Sequence, residues 1–309
     1  MRTRITELLG LEHPIFQAAM SWASSNAPLV IAVSNAGGMG VLGAGPLRPD
    51  DFRRILSEIR QGTQRPFGVN IPLNGKHAKE LLDIAHEARI PVMVASQGGP
   101  REQLARFRAI GTKWLHVVAS VEHAKKAEAA GVDALVVDGA EAGGHPPPSN
   151  VGTLVLVRRV VRATRLPVVA SGGVADGAGI AALLALGAEA VQLGTRFIAT
   201  PEASVHENYK RAVLAAEVHD TCLVGPPALP VRQLRNAFTR KFEASGEQER
   251  EALFKSSSLK KAALEGDVEW GKVEAGQSAG LVDDIVPAAD LLKRLVRELE
   301  EARRRLASL

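Results

Sequence analysis

Short apolar runs rich in Val, Ala and Leu alternate with longer stretches whose apolar positions recur at helical spacing, from the amino terminus to about residue 200. The runs predict strands at 14–17, 40–42, 67–70, 92–95, 114–118, 134–138, 168–171 and 190–194. The intervening stretches predict helices at 27–35, 50–60, 78–88, 102–109, 122–129, 153–163 and 179–186, so each of the first seven strands is followed by a helix. A strand that runs parallel to its predecessor needs such a crossover. Eight strands at roughly 25-residue spacing suit a closed barrel better than an open sheet. Two helix ends carry the same signature, Ala130-Gly-Val-Asp133 and Leu186-Gly-Ala-Glu189, in which glycine takes the left-handed conformation that stops a helix before the next strand.

Beyond residue 200 the pattern changes. Segments 201–224 and 231–264 read as helix-rich and polar, with the breaker Gly225-Pro226-Pro227 between them, and 283–306 reads as one long amphipathic helix that returns to close the outer ring. The expected architecture is an α/β, (β/α)8 TIM barrel made of residues 1–200 and 274–309, with a helical insertion after strand eight, 201–273, as a substrate-side subdomain.

Composition agrees with this reading. Of 309 residues 46% are hydrophobic and only 4% aromatic, which favours small and branched side chains packed between strands and helices over an aromatic-rich β-sandwich. The net charge of +4 could suggest an anionic partner, but its excess lies in 232–241 and 294–305. The second run is interleaved with Glu298, Glu300 and Glu301 and reads as a solvated helix face, so no nucleic-acid partner is expected. With Cys222 alone, no intrachain disulfide or multi-cysteine zinc site can form, and a cytoplasmic setting is the expectation. Residues 1–10 lack an apolar signal core and no apolar run reaches membrane-spanning length, so neither a signal peptide nor a membrane anchor is expected.

Candidate chemistry gathers at the carboxyl ends of the predicted strands. Val168-Val-Ala-Ser-Gly-Gly-Val-Ala-Asp-Gly177 runs from a strand through a glycine-rich turn into a helix, and Gln192-Leu-Gly-Thr-Arg-Phe197 ends the next strand with a further glycine and a hydroxyl. Glycines let backbone N–H groups approach an anion, and a helix terminus adds its positive dipole. Barrel loops seven and eight commonly grip a phosphate, which makes Gly172, Gly173, Gly194 and Thr195 candidates for that role; the alternative is two tight turns without a ligand. In Val136-Val-Asp-Gly-Ala-Glu-Ala-Gly-Gly-His145 a histidine follows two glycines at a strand's carboxyl end, where imidazole could move a proton near neutral pH. The other histidines, His13, His77, His86, His116, His123, His206 and His219, read as structural. Gln17-Ala-Ala-Met20 and Phe67-Gly-Val-Asn70 end strands one and three on the same rim, and Asn70 offers a donor and an acceptor together to a polar ligand bound there. Lys125, at the start of the fifth helix, reads by itself as a solvated lysine.

The strings PIFQAAM, GGMGVLG, PFGVN, EAGGH, SGGVADG, LGAEAVQLGTRF and AGQSAGLV, in this order from about residue 10 to 295, resemble the nitronate monooxygenase (2-nitropropane dioxygenase) family of FMN-dependent barrels, which includes flavin-type enoyl-acyl carrier protein reductases. The resemblance implies bound FMN and His145 as the active-site histidine. It implies cofactor contacts from Met20 and Asn70 near the isoalloxazine ring, and from Lys125 and Asp138 at the ribityl and phosphate region. Gly172, Gly173, Gly194 and Thr195 would hold the phosphate, while Ala19, Gly144 and Ser171 join the cofactor-binding set and Gln277 of the AGQ string faces the flavin. Two features are particular to this chain. Pro146-Pro-Pro148 stiffens the loop after the histidine and removes three N–H donors, and Ala18-Ala19 places methyl groups beside the expected flavin.

The leading expectation is an FMN-dependent oxidation of alkyl nitronates with dioxygen. The alternatives are NAD(P)H-dependent reduction of an enoyl thioester or a quinone, a non-catalytic barrel for a phosphorylated ligand, and a helical interaction module at 201–273. A small-molecule substrate and no membrane partner are expected; the oligomeric state is left open, a homodimer included.

Overall fold

The predicted alternation closes into a ring. The computed structural model describes residues 1–309. Its first half runs α1 (Arg4–Leu9), β1 (Ile15–Gln17), α2 (Ala27–Asn35), β2 (Met39–Gly43), α3 (Pro49–Gly62), β3 (Gly68–Pro72), α4 (Ala78–Glu87), β4 (Val92–Ser96) and α5 (Arg101–Ala109). It continues through β5 (Lys113–Val118), α6 (Val121–Ala130), β6 (Ala134–Asp138), α7 (Thr153–Val161), β7 (Val168–Ser171), α8 (Gly177–Ala185), β8 (Ala190–Leu193) and the short α9 (Thr195–Ile198). The eight strands pair in parallel in chain order, and β8 returns to β1 to complete a closed barrel.

Side chains alternate along each strand as the pleat requires. Phe16, Val41, Val94, Leu115, Val136, Val169 and Ala190 form the barrel's inner core, while neighbours such as Ile15, Leu42, Leu135 and Val191 belong to the larger layer between strands and helices. The stopper at the amino ends of the strands is α1, a helix not expected from the sequence. Its Ile5 and Leu9 join the inner core, and Thr3 and Arg4 bond Glu189 just ahead of β8. Thr3 caps this helix and Gly10 ends it in the left-handed conformation. Gly131 and Gly187 take positive φ at the two helix ends singled out by sequence.

After α9 the chain leaves the ring for α10 (Glu207–Leu214), β9 (Thr221–Val224), β10 (Val231–Leu234), α11 (Ala237–Ala244), α12 (Glu247–Ser256) and α13 (Leu259–Ala263). The segment is helix-rich as expected, and it contains one element that was not expected, a β-hairpin. The segment around Gly225-Pro226-Pro227 is the turn of an antiparallel hairpin, in which Val231 pairs with Val224 and Leu234 with Thr221. Runs of four residues are too short for a strand period to stand out from a helical one. A 3-10 turn at Gln277–Leu281 leads back to α14 (Ala288–Ala307), where Leu291, Leu292, Leu295 and Leu299 are buried at helical spacing. This helix packs between α8 and α2 and so supplies the eighth member of the ring. It starts later than the expected residue 283, because Pro287 occupies its cap and the five residues before it are extended or irregular.

Candidate active site

At the carboxyl rim of the barrel the inward positions turn polar. Strand registry aligns Asp138 of β6 with Ser171 of β7 and Ser171 with Gln192 of β8, so three neighbouring strands put polar side chains in one layer above the apolar core. Asn70 of β3 and Ser96 of β4 share this end, with the Asn70 amide nitrogen donating to the Val94 carbonyl at 2.6 Å and to Ser96 Oγ at 3.2 Å. A carbonyl accepts only from the amide's nitrogen, so Oδ1 of Asn70 is the atom left for the mouth. All five residues line one cavity of about 930 Å³, near the upper end of the size range of small-molecule sites.

Two loops on this rim carry unspent donors. Gly172 and Gly173 leave β7 with φ of +106° and +72°, a left-handed pair that side-chain-bearing residues resist. Their N–H groups and that of Gly194 after β8 donate to no acceptor within the chain, and all three residues line the cavity. Adjacent free N–H groups of this kind make an anion receptor. A Cβ on Gly172 would stand 2.7 Å from Thr153 Oγ1, so backbone must run here bare. The dipole expected from the following helix contributes less than the sequence suggested, because Asp176 already accepts from Gly179 N and Glu298 accepts from Gly177 N at the start of α8.

The histidine loop is held from three sides. Glu141 accepts from both the backbone N–H and the hydroxyl of Thr153, each at 2.7 Å, which fixes the loop to the start of α7. Gly143 and Gly276 lie where the EAGGH and AGQ strings pass backbone against backbone; a Cβ on Gly143 would sit 2.6 Å from the Ala275 carbonyl carbon, and one on Gly276 2.5 Å from the Glu141 oxygen. Thr195 Oγ1 accepts from Gly276 N at 2.9 Å and ties the same string to the end of β8. The hairpin supplies the third hold. Gly144 and Arg232 of β10 exchange two backbone hydrogen bonds of 3.0 and 2.7 Å, and the buried Arg232 guanidinium reaches Ala140 O and Thr221 Oγ1.

This loop presents His145 at the edge of the cavity, its ring exposed and without a protein hydrogen-bond partner. Desolvation by the surrounding walls, together with the nearby Lys272 charge, lowers the imidazole pKa and favours the neutral ring. Two carboxyls line the same cavity. Burial pushes Asp138 up to about 6, against a hydroxyl bond from Ser171 and with a small addition from Glu141. Burial likewise raises Glu274 to about 7, with Lys272 opposing.

Of the residues singled out by sequence, the cavity wall contains Ala19, Met20, Asn70, Asp138, Gly144, His145, Ser171, Gly172, Gly173, Gly194 and Thr195. Ala18 also lines it, with its methyl 3.6 Å from where a Cβ of Gly194 would be. Two expectations are corrected. Lys125 is exposed on α6 and absent from the wall, since one helix turn directs Ala124 and Ala127 inward and His123 and Lys126 toward the cavity. Gln277 is exposed too; within its 3-10 turn Gly276 and Ser278 face the cavity, and the part Gln277 plays is a backbone N–H bond to Glu141 O. The sequence reading passed over Gln192, Glu274 and Tyr209 as well as His116 and His123, all in the wall. Gln192 had a legible signal, an inward-phase polar residue two places after Ala190. Glu274 and Tyr209 had none, because they reach the cavity through the packing of the 201–273 segment.

These residues fit FMN. The free N–H groups suit its phosphate, and the side-chain oxygen of Gln192, buried without a partner, is an acceptor facing the same mouth as Asn70. No group of three or more His, Cys, Asp or Glu residues is arranged to hold a metal ion, and no helix is long and apolar enough to cross a membrane.

Comparison with known proteins bears on what this arrangement does. A sequence model described as nitronate monooxygenase matches residues 2–89 and 74–298. A nitronate monooxygenase of Paraburkholderia phytofirmans is 35% identical over 350 residues, covering 96% of this chain and 94% of that protein. The (3aS,4S,5R,7aS)-5-hydroxy-7a-methyl-1-oxo-octahydro-1H-indene-4-carboxyl-CoA dehydrogenase of Rhodococcus jostii is 31% identical, with 96% of each chain covered. Among solved structures, FabK from Thermotoga maritima superposes with a TM-score of 0.94 at 42% identity over 100% of this chain and 99% of that one.

Proposed function

The chain belongs to the nitronate monooxygenase family, and from that premise we propose that it holds FMN across the barrel mouth and oxidises alkyl nitronates with dioxygen. The observation that carries the reading is the set of free N–H groups of Gly172, Gly173 and Gly194 opening into the cavity that also contains His145. When bound, FMN supplies the electron transfer between nitronate and dioxygen.

The chain's own groups do the rest. The glycine N–H groups bind the phosphate with dipoles that are already fixed in place. Asn70 and Gln192 offer acceptor oxygens to the ring or its ribityl chain. His145, neutral by virtue of its lowered pKa, takes a proton from the carbon beside the nitro group of a neutral nitroalkane; protonated, it pairs with an anionic nitronate. Buried Pro146 and Pro147, with Ala228 and Leu229 from the hairpin tip, wall the cavity with apolar surface and limit the water beside the reacting carbon. Cys222 is buried and unpaired, which suits a reducing cytoplasm.

A second reading, reduction of an enoyl thioester with reduced nicotinamide, is favoured by the likeness to FabK and by this apolar wall, which could cover an acyl chain. Oxygen uptake with propionate-3-nitronate, set against NAD(P)H oxidation with crotonyl thioester, separates the two. The nitronate reading expects the first and fails if the second alone proceeds. Protein that releases no riboflavin-type fluorescence on denaturation, and binds no added FMN, would overturn both.

A further inference from the structure

Glu274 stands apart from the other polar groups of the cavity. It follows Lys272 and Val273 on the irregular segment that leads to Gly276, and its Oε2 lies 3.2 Å from where a Cβ of Gly144 would be, against the residue that precedes His145. Its carboxyl group takes no hydrogen bond and forms no ion pair within the chain; the Tyr209 hydroxyl of α10 donates at 2.8 Å to the Glu274 backbone carbonyl instead. The nearest cation is otherwise engaged. Lys272 Nζ donates to Phe254 O at 3.0 Å and sits 3.4 Å from the Phe254 ring centroid. From β10, Arg232 turns its guanidinium to Ala140 and Thr221. A carboxyl without a partner that lines the cavity meets whatever enters it.

We propose that Glu274 selects substrates by charge: as a carboxylate it keeps anions from the His145 end of the cavity, and as a neutral acid it admits them. The inference rests on the nitronate reading for the identity of the anion alone. A like charge at close range in a desolvated site is strongly unfavourable, whereas a protonated carboxyl can donate a hydrogen bond to a nitronate oxygen. Burial centres the change near neutrality, at about 7. Neutral nitroalkanes are indifferent to it, so the ratio of nitronate to nitroalkane use falls as pH rises.

Calorimetric titration of the FMN-loaded protein with nitrate, a planar unreactive anion resembling the nitronate group, tests this directly. Between about pH 6.5 and 8.5 the wild type should lose roughly tenfold in nitrate affinity, while Glu274→Gln, which keeps a donor, holds the low-pH affinity throughout and Glu274→Leu, which has none, binds more weakly but without the pH slope. Burial holds His145 and His116 below the ordinary imidazole value, Asp138 is pushed up to about 6 and Tyr209 lies well above its own value, so the difference in slope between wild type and variants is the quantity that reports Glu274. An infrared band of a protonated carboxyl should fade over the same range in the wild type and be missing from Glu274→Gln. Equal pH slopes in wild type and both variants, or no nitrate binding to any of them, would overturn the proposal. Should nitrate behave as expected while nitronates consume no oxygen, the proposed reaction fails and charge selection by Glu274 stands.

Discussion

The two sides of the cavity are built by different means. The β7–β8 side is made of strand ends in a closed barrel, where registry fixes Asp138, Ser171 and Gln192 in one layer and the chain turns sharply at Gly172 and Gly173. The opposite side is assembled from segments distant in sequence. There the loop bearing His145 is held by Arg232 of the hairpin, and Glu274 and Tyr209 arrive from beyond residue 200. The N–H groups proposed to bind the phosphate thus belong to the barrel's own frame, whereas the side proposed to handle protons depends on a subdomain with one small apolar cluster of its own around Cys222, Phe238 and Phe242 and another, around Tyr209, Val213 and Val273, shared with Ala23, Ala175 and Ile198 of the barrel. Cofactor binding and turnover should therefore be separable by mutation.

The largest expected effect breaks the proton-handling side alone. His145→Ala should lower turnover by about 10²- to 10⁴-fold, the range for a positioned acid–base group, with flavin absorbance retained; steady-state oxygen uptake on the yellow protein measures both. Arg232→Ala removes a buried cation that makes one charge-assisted hydrogen bond to the histidine loop and another within its own hairpin, and should destabilise the fold by about 2–3 kcal/mol in denaturant titration. If the comparison holds, kcat falls in this variant more than FMN affinity does. Gly172→Ala attacks the other side, because a Cβ would meet Thr153 Oγ1 at 2.7 Å in a backbone conformation with φ of +106°. Strain of about 1–3 kcal/mol predicts FMN binding weaker by roughly 5- to 150-fold, read by fluorescence titration. The smallest effect is expected at Lys125, exposed and away from the cavity. Lys125→Ala should leave FMN affinity within about 0.5 kcal/mol of the wild type, and a larger loss would place its ammonium group on the phosphate side after all.

The strands and the first seven crossover helices were legible because each is a local pattern: period two or a short apolar run for strands, period 3.6 for helices. The turn at Gly172-Gly173 was legible because a positive φ demands glycine whatever the surroundings, whereas Gly194, with a negative φ and only ordinary contacts, was legible from its place at a strand end. Gln192 shows where that legibility thins. Its inward phase could be read from Ala190, but whether it faces a core or a mouth depends on its height in the barrel. Lys125 shows a different limit: by itself it read as a solvated lysine, the resemblance implied a place near the phosphate, and the helix face that leaves it exposed and off the cavity wall is fixed only by packing.

The sequence by itself determined the barrel, its order of elements and the corners where bare backbone can meet an anion, since those follow from periodicity and local sterics. Tertiary structure decided the hairpin inside 201–273, the clamp of Arg232 on the histidine loop and the arrival of Glu274 beside Gly144. The hairpin pairs runs too short to show a period, and the other two are contacts between residues about ninety or more positions apart, formed where bare glycine backbone packs closely. No local period records which distant partner a segment will meet.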